Sequence, residues 1–108
     1  MVVCVPVTAD GQVGGGWGRA DRVALAEVVG GRIASWQEIE VGWDRLHEEG
    51  TEGSHHARIA RFLTEHSVDR VVAGHMGPPM QHMLEKMGVS VRTGAAGDAR
   101  HVVMAEQN

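Results

Sequence analysis

One cysteine, one phenylalanine and no tyrosine occur in a chain of 108 residues, and each scarcity excludes something. A lone thiol, Cys4, cannot close a disulfide within the chain or supply the four thiolates that hold an ordinary iron–sulfur cluster. With aromatic residues at 4%, the core must be built from Val, Ile, Leu, Ala and Met, which bury less area per residue than aromatic rings do. Modest intrinsic stability is expected, to which ligand binding or self-association would add. Lys and Arg form no run, and the net charge is −4, so the basic stripe that a nucleic-acid partner requires is missing. No apolar stretch approaches the roughly 20 residues that span a bilayer. The opening "MVVCVPV" lacks the basic start of a signal peptide, and a cytoplasmic location is expected.

Several chemical motifs are missing as well. There is no Cys-x-x-Cys, no His-Glu-x-x-His and no Gly-x-x-x-x-Gly-Lys-Ser/Thr, which excludes zinc-ribbon, zincin and P-loop readings. The glycine-rich stretch lacks the Gly-x-Gly-x-x-Gly spacing of dinucleotide binders. A two-metal nuclease needs several acids at its strand ends, and Asp10 alone is too little. No acid–base pair marks an enzyme, and a hydrolase or nuclease is the last-ranked of the functional readings.

What the chain does contain is a clear alternation of elements. Length and composition suit one domain over residues 1–108. Residues 2–7 are a nearly continuous apolar run, the pattern of a strand buried on both faces. "TADGQVGGGWGRAD" is a long glycine-rich loop. "RVALAEVV" and "RIASWQEIEV" alternate, and Gly30-Gly31 between them predicts a hairpin. The polar "GWDRLHEEGTEG" reads as a connection. Ser54 is placed to cap a helix running to about residue 66, with Ala57, Ala60 and Leu63 on one face. "DRVVAG" is a fourth strand. Pro78-Pro79 opens a helix carrying Met80, Met83, Leu84 and Met87 on one side, closed by Gly88 in a left-handed cap. "VSVR" is a fifth strand, and Asp98 caps a last helix over 99–106.

The order βββαβαβα predicts an α/β fold of the ribonuclease H-like kind. The hairpin implies antiparallel pairing among the first three strands, and the helical crossovers imply strands 1, 4 and 5 running parallel in a five-stranded mixed sheet with helices packed on it. Pro6 cannot donate to a central ladder and is read as a bulge or as the strand's last turn outward.

Three stretches carry a more specific likeness. "VCVPVTADGQVGGGWGRAD", the hairpin, and "VDRVVAGHMGPPMQHMLEKMGVSV" together resemble the dinitrogenase iron-molybdenum cofactor biosynthesis family, the NifX/NafY-like proteins, over about residues 2–95. The marks are a strand ending in Pro-Val-Thr, a loop ending in aromatic-Gly-Arg-Ala, and a strand ending in Ala-Gly-x-x-Gly-Pro. The resemblance implies a non-catalytic binding or carrier domain, linked to nitrogen fixation, for an iron–sulfur or iron–molybdenum-type metal cofactor or its precursor. It implies as partner the cofactor or a cofactor-assembly protein, with a homo-oligomer left open. In the family the loop commonly reads Ser-x-His-Phe-Gly-x-Ala, whose His is a candidate ligand. Here that position is Gly16, while Trp17 keeps the aromatic and Arg19 the basic residue. The alternative is a protein-interaction or regulatory module of the same fold that has lost its cofactor.

Ligands of open α/β sheets sit beyond the carboxyl ends of the parallel strands, where the strand order reverses. That point lies between strands 1 and 4. The glycine loop leaves strand 1 there, "GHMGPP" leaves strand 4 there, and the helix beginning near Ser54 should start at the same end. Gly15, Gly16, Trp17, Arg19, His55, His56, His75 and Met76 are therefore the expected cofactor-binding residues, with His75 and His55 as metal ligands. Two helix N-termini facing this place would favour an anion. For His75, ligation stands against a plain hydrogen-bonding role. His55 and His56 diverge by roughly 100° on a helix, so only one is expected to point at the pocket. Trp17 either covers the site or anchors the loop, and Arg19 either pairs with an anionic ligand or bonds Asp21 or Asp10. The methionine stripe, with Met83 and Met87, reads as core packing. His82, His47 and His101 read as exposed, His66 as interacting with a helix dipole, and Cys4 as an inert buried residue. The Trp36/Trp43 side is the surface an interaction module would use.

Overall fold

The computed structural model describes residues 1–106, so the last two positions of the expected 1–108 unit lie outside the described residues. The elements follow as β1 (Val2–Pro6), β2 (Arg22–Val29), β3 (Arg32–Glu40), α1 (Trp43–Leu46), α2 (Glu52–Glu65), β4 (Arg70–Val72), α3 (Pro78–Lys86), β5 (Ser90–Arg92) and α4 (Ala99–Met104). The sheet order is β3-β2-β1-β4-β5. The β1–β2 and β2–β3 pairs are antiparallel, and β1–β4 and β4–β5 are parallel. The mixed five-stranded sheet is thus as expected, with one helix more than the sequence pattern shows.

Side chains of β1 alternate between two cores because successive residues of a strand point to opposite faces. Val3 and Val5 pack with Ala24, Ala26, Val72 and the α4 residues Ala99 and Val103. Cys4 lies on the other face with Val23, Leu25 and Val71, covered by Ile59 and Leu63 of α2 and by Met80 and Leu84 of α3. Each large aliphatic side chain so enclosed stabilises the fold by about 1.5–3 kcal/mol. Pro6 is the last residue of β1 and pairs with Val23; its carbonyl accepts from the Gly14 N–H at 2.7 Å. The ladder with β4 involves Val3 and Cys4, so the missing Pro6 N–H falls beyond it. The hairpin turns on Gly30 and Gly31, whose φ angles of 58° and 76° require the left-handed region that glycine tolerates.

Four local expectations are corrected. The polar connection after β3 contains α1, and its Trp43 is buried, packed edge-on against Trp17 at 5.1 Å and Phe62 at 5.4 Å between centroids. Trp43 therefore offers no docking surface. Thr51, not Ser54, is the N-cap of α2: its side chain accepts from the Ser54 N–H while Ser54 Oγ accepts from the Thr51 N–H, a reciprocal capping box. The buried stripe of α2 is His55, Ile59 and Leu63, whereas Ala57 is exposed; spacing of four selects this stripe, and the histidine occupies a core position in it. On α3, Met80 and Leu84 are buried but Met87, beyond the last turn, is 37% exposed.

Candidate functional site

Two short loops meet at the carboxyl ends of β1 and β4. The His75 N–H donates to the Gly15 carbonyl at 2.7 Å and the Trp17 N–H donates to the His75 carbonyl at 2.9 Å, which makes Gly16 and His75 partners in a parallel bridge. Position 74 must be glycine for this contact, because a Cβ there would lie 2.8 Å from the Gly15 carbonyl oxygen. Gly16 is different: a Cβ would meet nothing within 4 Å and its φ is not positive. Glycine at 16 is therefore not required by packing.

The first turn of α2 arrives at the same end. A cavity of about 260 Å³ is lined by the loop residues Gly16, Trp17, Gly18 and Arg19, by His47, Glu52, His55 and His56, and by His75, Met76, Gly77, Pro79 and Met80. Of the eight residues singled out in the sequence, seven line this cavity. Gly15 lines an adjoining one of about 420 Å³ on the other side of the ribbon, with Gly16 and Arg19 forming part of both walls.

The side chains differ sharply in what they are free to do. Trp17 is 0% exposed and anchors the loop in the core while forming part of the cavity wall. His55 is 3% exposed. Its Nε2 lies 2.7 Å from the Gly18 carbonyl and its Nδ1 lies 3.4 Å from Arg58 Nη1. The carbonyl accepts only, so Nε2 carries the proton and Nδ1 is left as the acceptor. Enclosure holds this imidazole below the ordinary histidine range, opposed by the Gly18 carbonyl and reinforced by His47, Arg58 and His56. Both ring nitrogens of the expected ligand His55 are thus committed within the protein. It positions the loop, and the expected metal-ligand role does not match its bonding.

His75, exposed, and His56, half-buried, make no side-chain hydrogen bond among the described residues. Both His55 and His56 line the cavity, where only one is expected from the sequence, the first buried and the second half-buried. Arg19 is exposed and pairs with neither Asp10 nor Asp21. Met76 is buried and belongs to the core as well as to the cavity wall.

The helix ends favour an anion less than expected. The first turn of α3 opens with Pro78 and Pro79, which have no N–H to offer, so two of its usual free donors are missing. The first turn of α2 carries Glu52, whose carboxylate opposes an anion. Positive charge at the cavity therefore comes from Arg19, and the imidazoles contribute as polar side chains.

His47, expected from the sequence to be exposed, lines the cavity, half-buried, with its ring edge-on to His55 at 4.9 Å. Its signal was the tryptophan four residues earlier, an apolar anchor inside a polar stretch. Cys4, enclosed in the sheet with its thiol pushed far up by burial, cannot reach the cavity. Among the described residues, no three His, Cys, Asp or Glu side chains converge so as to hold a metal ion, and no helix is long and apolar enough to cross a membrane.

Comparison with known proteins agrees with this architecture. The dinitrogenase iron-molybdenum cofactor family matches residues 1–107. The crystal structure of PH0822 superposes with a TM-score of 0.78 at 21% identity, over 97% of this chain and 87% of that one. The apo form of the orange protein from Desulfovibrio gigas gives 0.74 at 18% identity, over 94% and 82%. A candidate dinitrogenase from Methanocaldococcus jannaschii gives 0.65 at 11% identity, over 97% and 85%. At these identities the likeness is one of fold. No curated protein sequence matches the chain.

Proposed function

The chain belongs to the dinitrogenase iron-molybdenum cofactor family, and on that premise we propose that it is a non-catalytic binding or carrier domain whose cargo is a preassembled, anionic metal–sulfur cluster, of the iron–sulfur or iron–molybdenum type, or a precursor of one. The observation that carries this reading is the donor set. Three imidazoles that make no side-chain hydrogen bond among the described residues, His47, His56 and His75, line one cavity of about 260 Å³ with Arg19, which forms no ion pair among those residues. Yet no three donors among the described residues come together around a point. A bare zinc or iron ion needs three or four ligands converging at about 2 Å. A cluster brings its own sulfides, is several ångströms wide, and needs only one or two protein ligands plus hydrogen bonds and positive charge at its edge.

The residues fit such a cargo and do not fit a cluster held by thiolates, since Cys4 is enclosed in the sheet. In this reading His75 is the metal ligand, Arg19 and His56 meet the anion, Trp17 and Met76 form the apolar wall, and Gly16 lets it approach the backbone. His55 holds the loop. A protein that donates or receives the cofactor during assembly is the implied partner.

The test is an anaerobic titration with a synthetic four-iron cluster, with tetrathiomolybdate (the simplest anion joining molybdenum to sulfide), and with ferrous and zinc ions, followed by visible absorption and histidine NMR. The anions should bind with one-to-one saturation and move the His75 and His56 signals, and the ions should bind weakly. No response to either anion would overturn the cargo reading and leave an interaction module of the same fold.

A further inference from the structure

We propose that His47 binds at this cavity as a hydrogen-bond donor, presenting its Nε2–H to a sulfide or oxo atom of the anion, and does not ligate metal. The inference rests on the cargo reading above and assigns to its site a residue that the family motifs do not include.

The chain places His47 with unusual care for a residue in a polar connection. The Val41 and Gly42 N–H groups both donate to the Asp21 carbonyl, at 2.9 and 3.0 Å, and the Trp43 N–H donates to the Ala20 carbonyl at 2.9 Å. Ala20 and Asp21 close the glycine loop, so the segment bearing His47 is tied to the ribbon bearing Gly16 and Arg19. One turn of helix later, the His47 N–H donates to the Trp43 carbonyl at 2.8 Å. The imidazole then stands edge-on to His55, which is itself pinned by its bond to Gly18.

The two nitrogens of the ring have opposite surroundings. Nδ1 is buried and has no hydrogen-bond partner among the described residues. Nε2 makes no hydrogen bond among these residues and is not enclosed. A neutral imidazole carries one proton, on one nitrogen or the other. A proton on Nδ1 would bury a donor with no acceptor, the arrangement proteins avoid most strictly. The proton therefore resides on Nε2, facing the accessible side.

That tautomer decides the chemistry. A protonated nitrogen has no lone pair for a metal, but it donates well to an anion. A histidine that does ligate metal hands its other N–H to a carbonyl, carboxylate or water, and nothing among the described residues accepts from His47 Nδ1. His75 has no such restriction, since its exposed ring can place either proton toward water. The two imidazoles then divide the binding, His75 offering a lone pair to metal and His47 a proton to the non-metal edge.

Two measurements test this. Long-range proton–nitrogen NMR of the whole protein without ligand should show the His47 proton on Nε2; a proton on Nδ1 would overturn the inference. Tetrathiomolybdate affinity is then compared in wild type, His47→Ala and His47→Gln, each checked for an unchanged unfolding midpoint. Glutamine keeps an N–H near the Nε2 position but is a poor metal ligand. We expect His47→Ala to lose tenfold or more in affinity and His47→Gln to stay within about threefold of wild type. Equal losses in both variants, with wild type binding, would sink the donor role alone. Failure of wild type to bind would sink the cargo reading and this inference with it.

Discussion

Gly16 and His75 face each other across a two-hydrogen-bond parallel bridge, at 2.7 and 2.9 Å. The loop position that the family resemblance marks as a candidate ligand site thus adjoins the His75 imidazole. The backbone supplies the fixed geometry, and the side chain at position 16 is free to vary because nothing packs against it.

Restoring a side chain there should cost nothing in stability. Gly16→His is expected to leave the unfolding free energy unchanged or raise it by up to about 1 kcal/mol, since a residue with fewer unfolded conformations replaces glycine. It should also tighten binding of the four-iron cluster roughly tenfold, or about 1.4 kcal/mol. Urea unfolding and anaerobic titration check the two halves separately.

The neighbouring glycine behaves in the opposite way. Gly74→Ala forces a methyl group to 2.8 Å from the Gly15 carbonyl oxygen, a backbone atom that cannot move without breaking the bridge. Destabilisation of about 1–3 kcal/mol is expected, as for other overpacked sites. Faster hydrogen exchange at the His75 and Trp17 amides would locate the damage, and wild-type exchange rates in the variant would refute the account.

His75→Ala separates binding from folding. The ring is exposed and bonds nothing within the described residues, so stability should stay within about 0.5 kcal/mol of wild type. Cluster affinity should fall tenfold or more, by at least about 1.4 kcal/mol. Retained affinity would remove His75 from the ligand role.

His55 should link stability to pH. Its imidazole is held below the ordinary value of 6.5, first by desolvation. The unfolded chain then takes up a proton at higher pH than the folded one, so the contribution of neutral His55 is fully present above 6.5 and is lost as pH falls from there through the folded value. Unfolding free energy measured across this range should decline on acidification, and His55→Gln should flatten that decline. His55→Ala should cost about 2–3 kcal/mol at neutral pH, from the lost contact with Gly18 and the space left behind.

Much of the fold was legible in the chain because its signals are local. The Gly30-Gly31 turn, the alternation in β2 and β3, and Pro78 at the start of α3 each act within a few residues, and each lies where the pattern puts it. Errors fell where a local signal had a close competitor. Ser54 and Thr51 are both good caps, and the structure uses both in one box with Thr51 outermost. Trp43 in a polar stretch reads as exposed until Trp17 and Phe62, from distant segments, close around it.

The amino-acid sequence alone settled the alternation of strands and helices, the shortage of thiolate ligands, and the glycine and histidine types at the ends of β1 and β4, all set by covalent identity and short-range sterics. Tertiary packing decided what each histidine is able to do. His55 is committed to Gly18 and Arg58, His75 is left open to solvent, and His47 is brought to the cavity with one nitrogen shut away. Imidazole chemistry depends on which nitrogen finds a partner, and the Gly18 carbonyl that fixes the His55 ring lies 37 residues away along the chain, joined to it only when the sheet assembles.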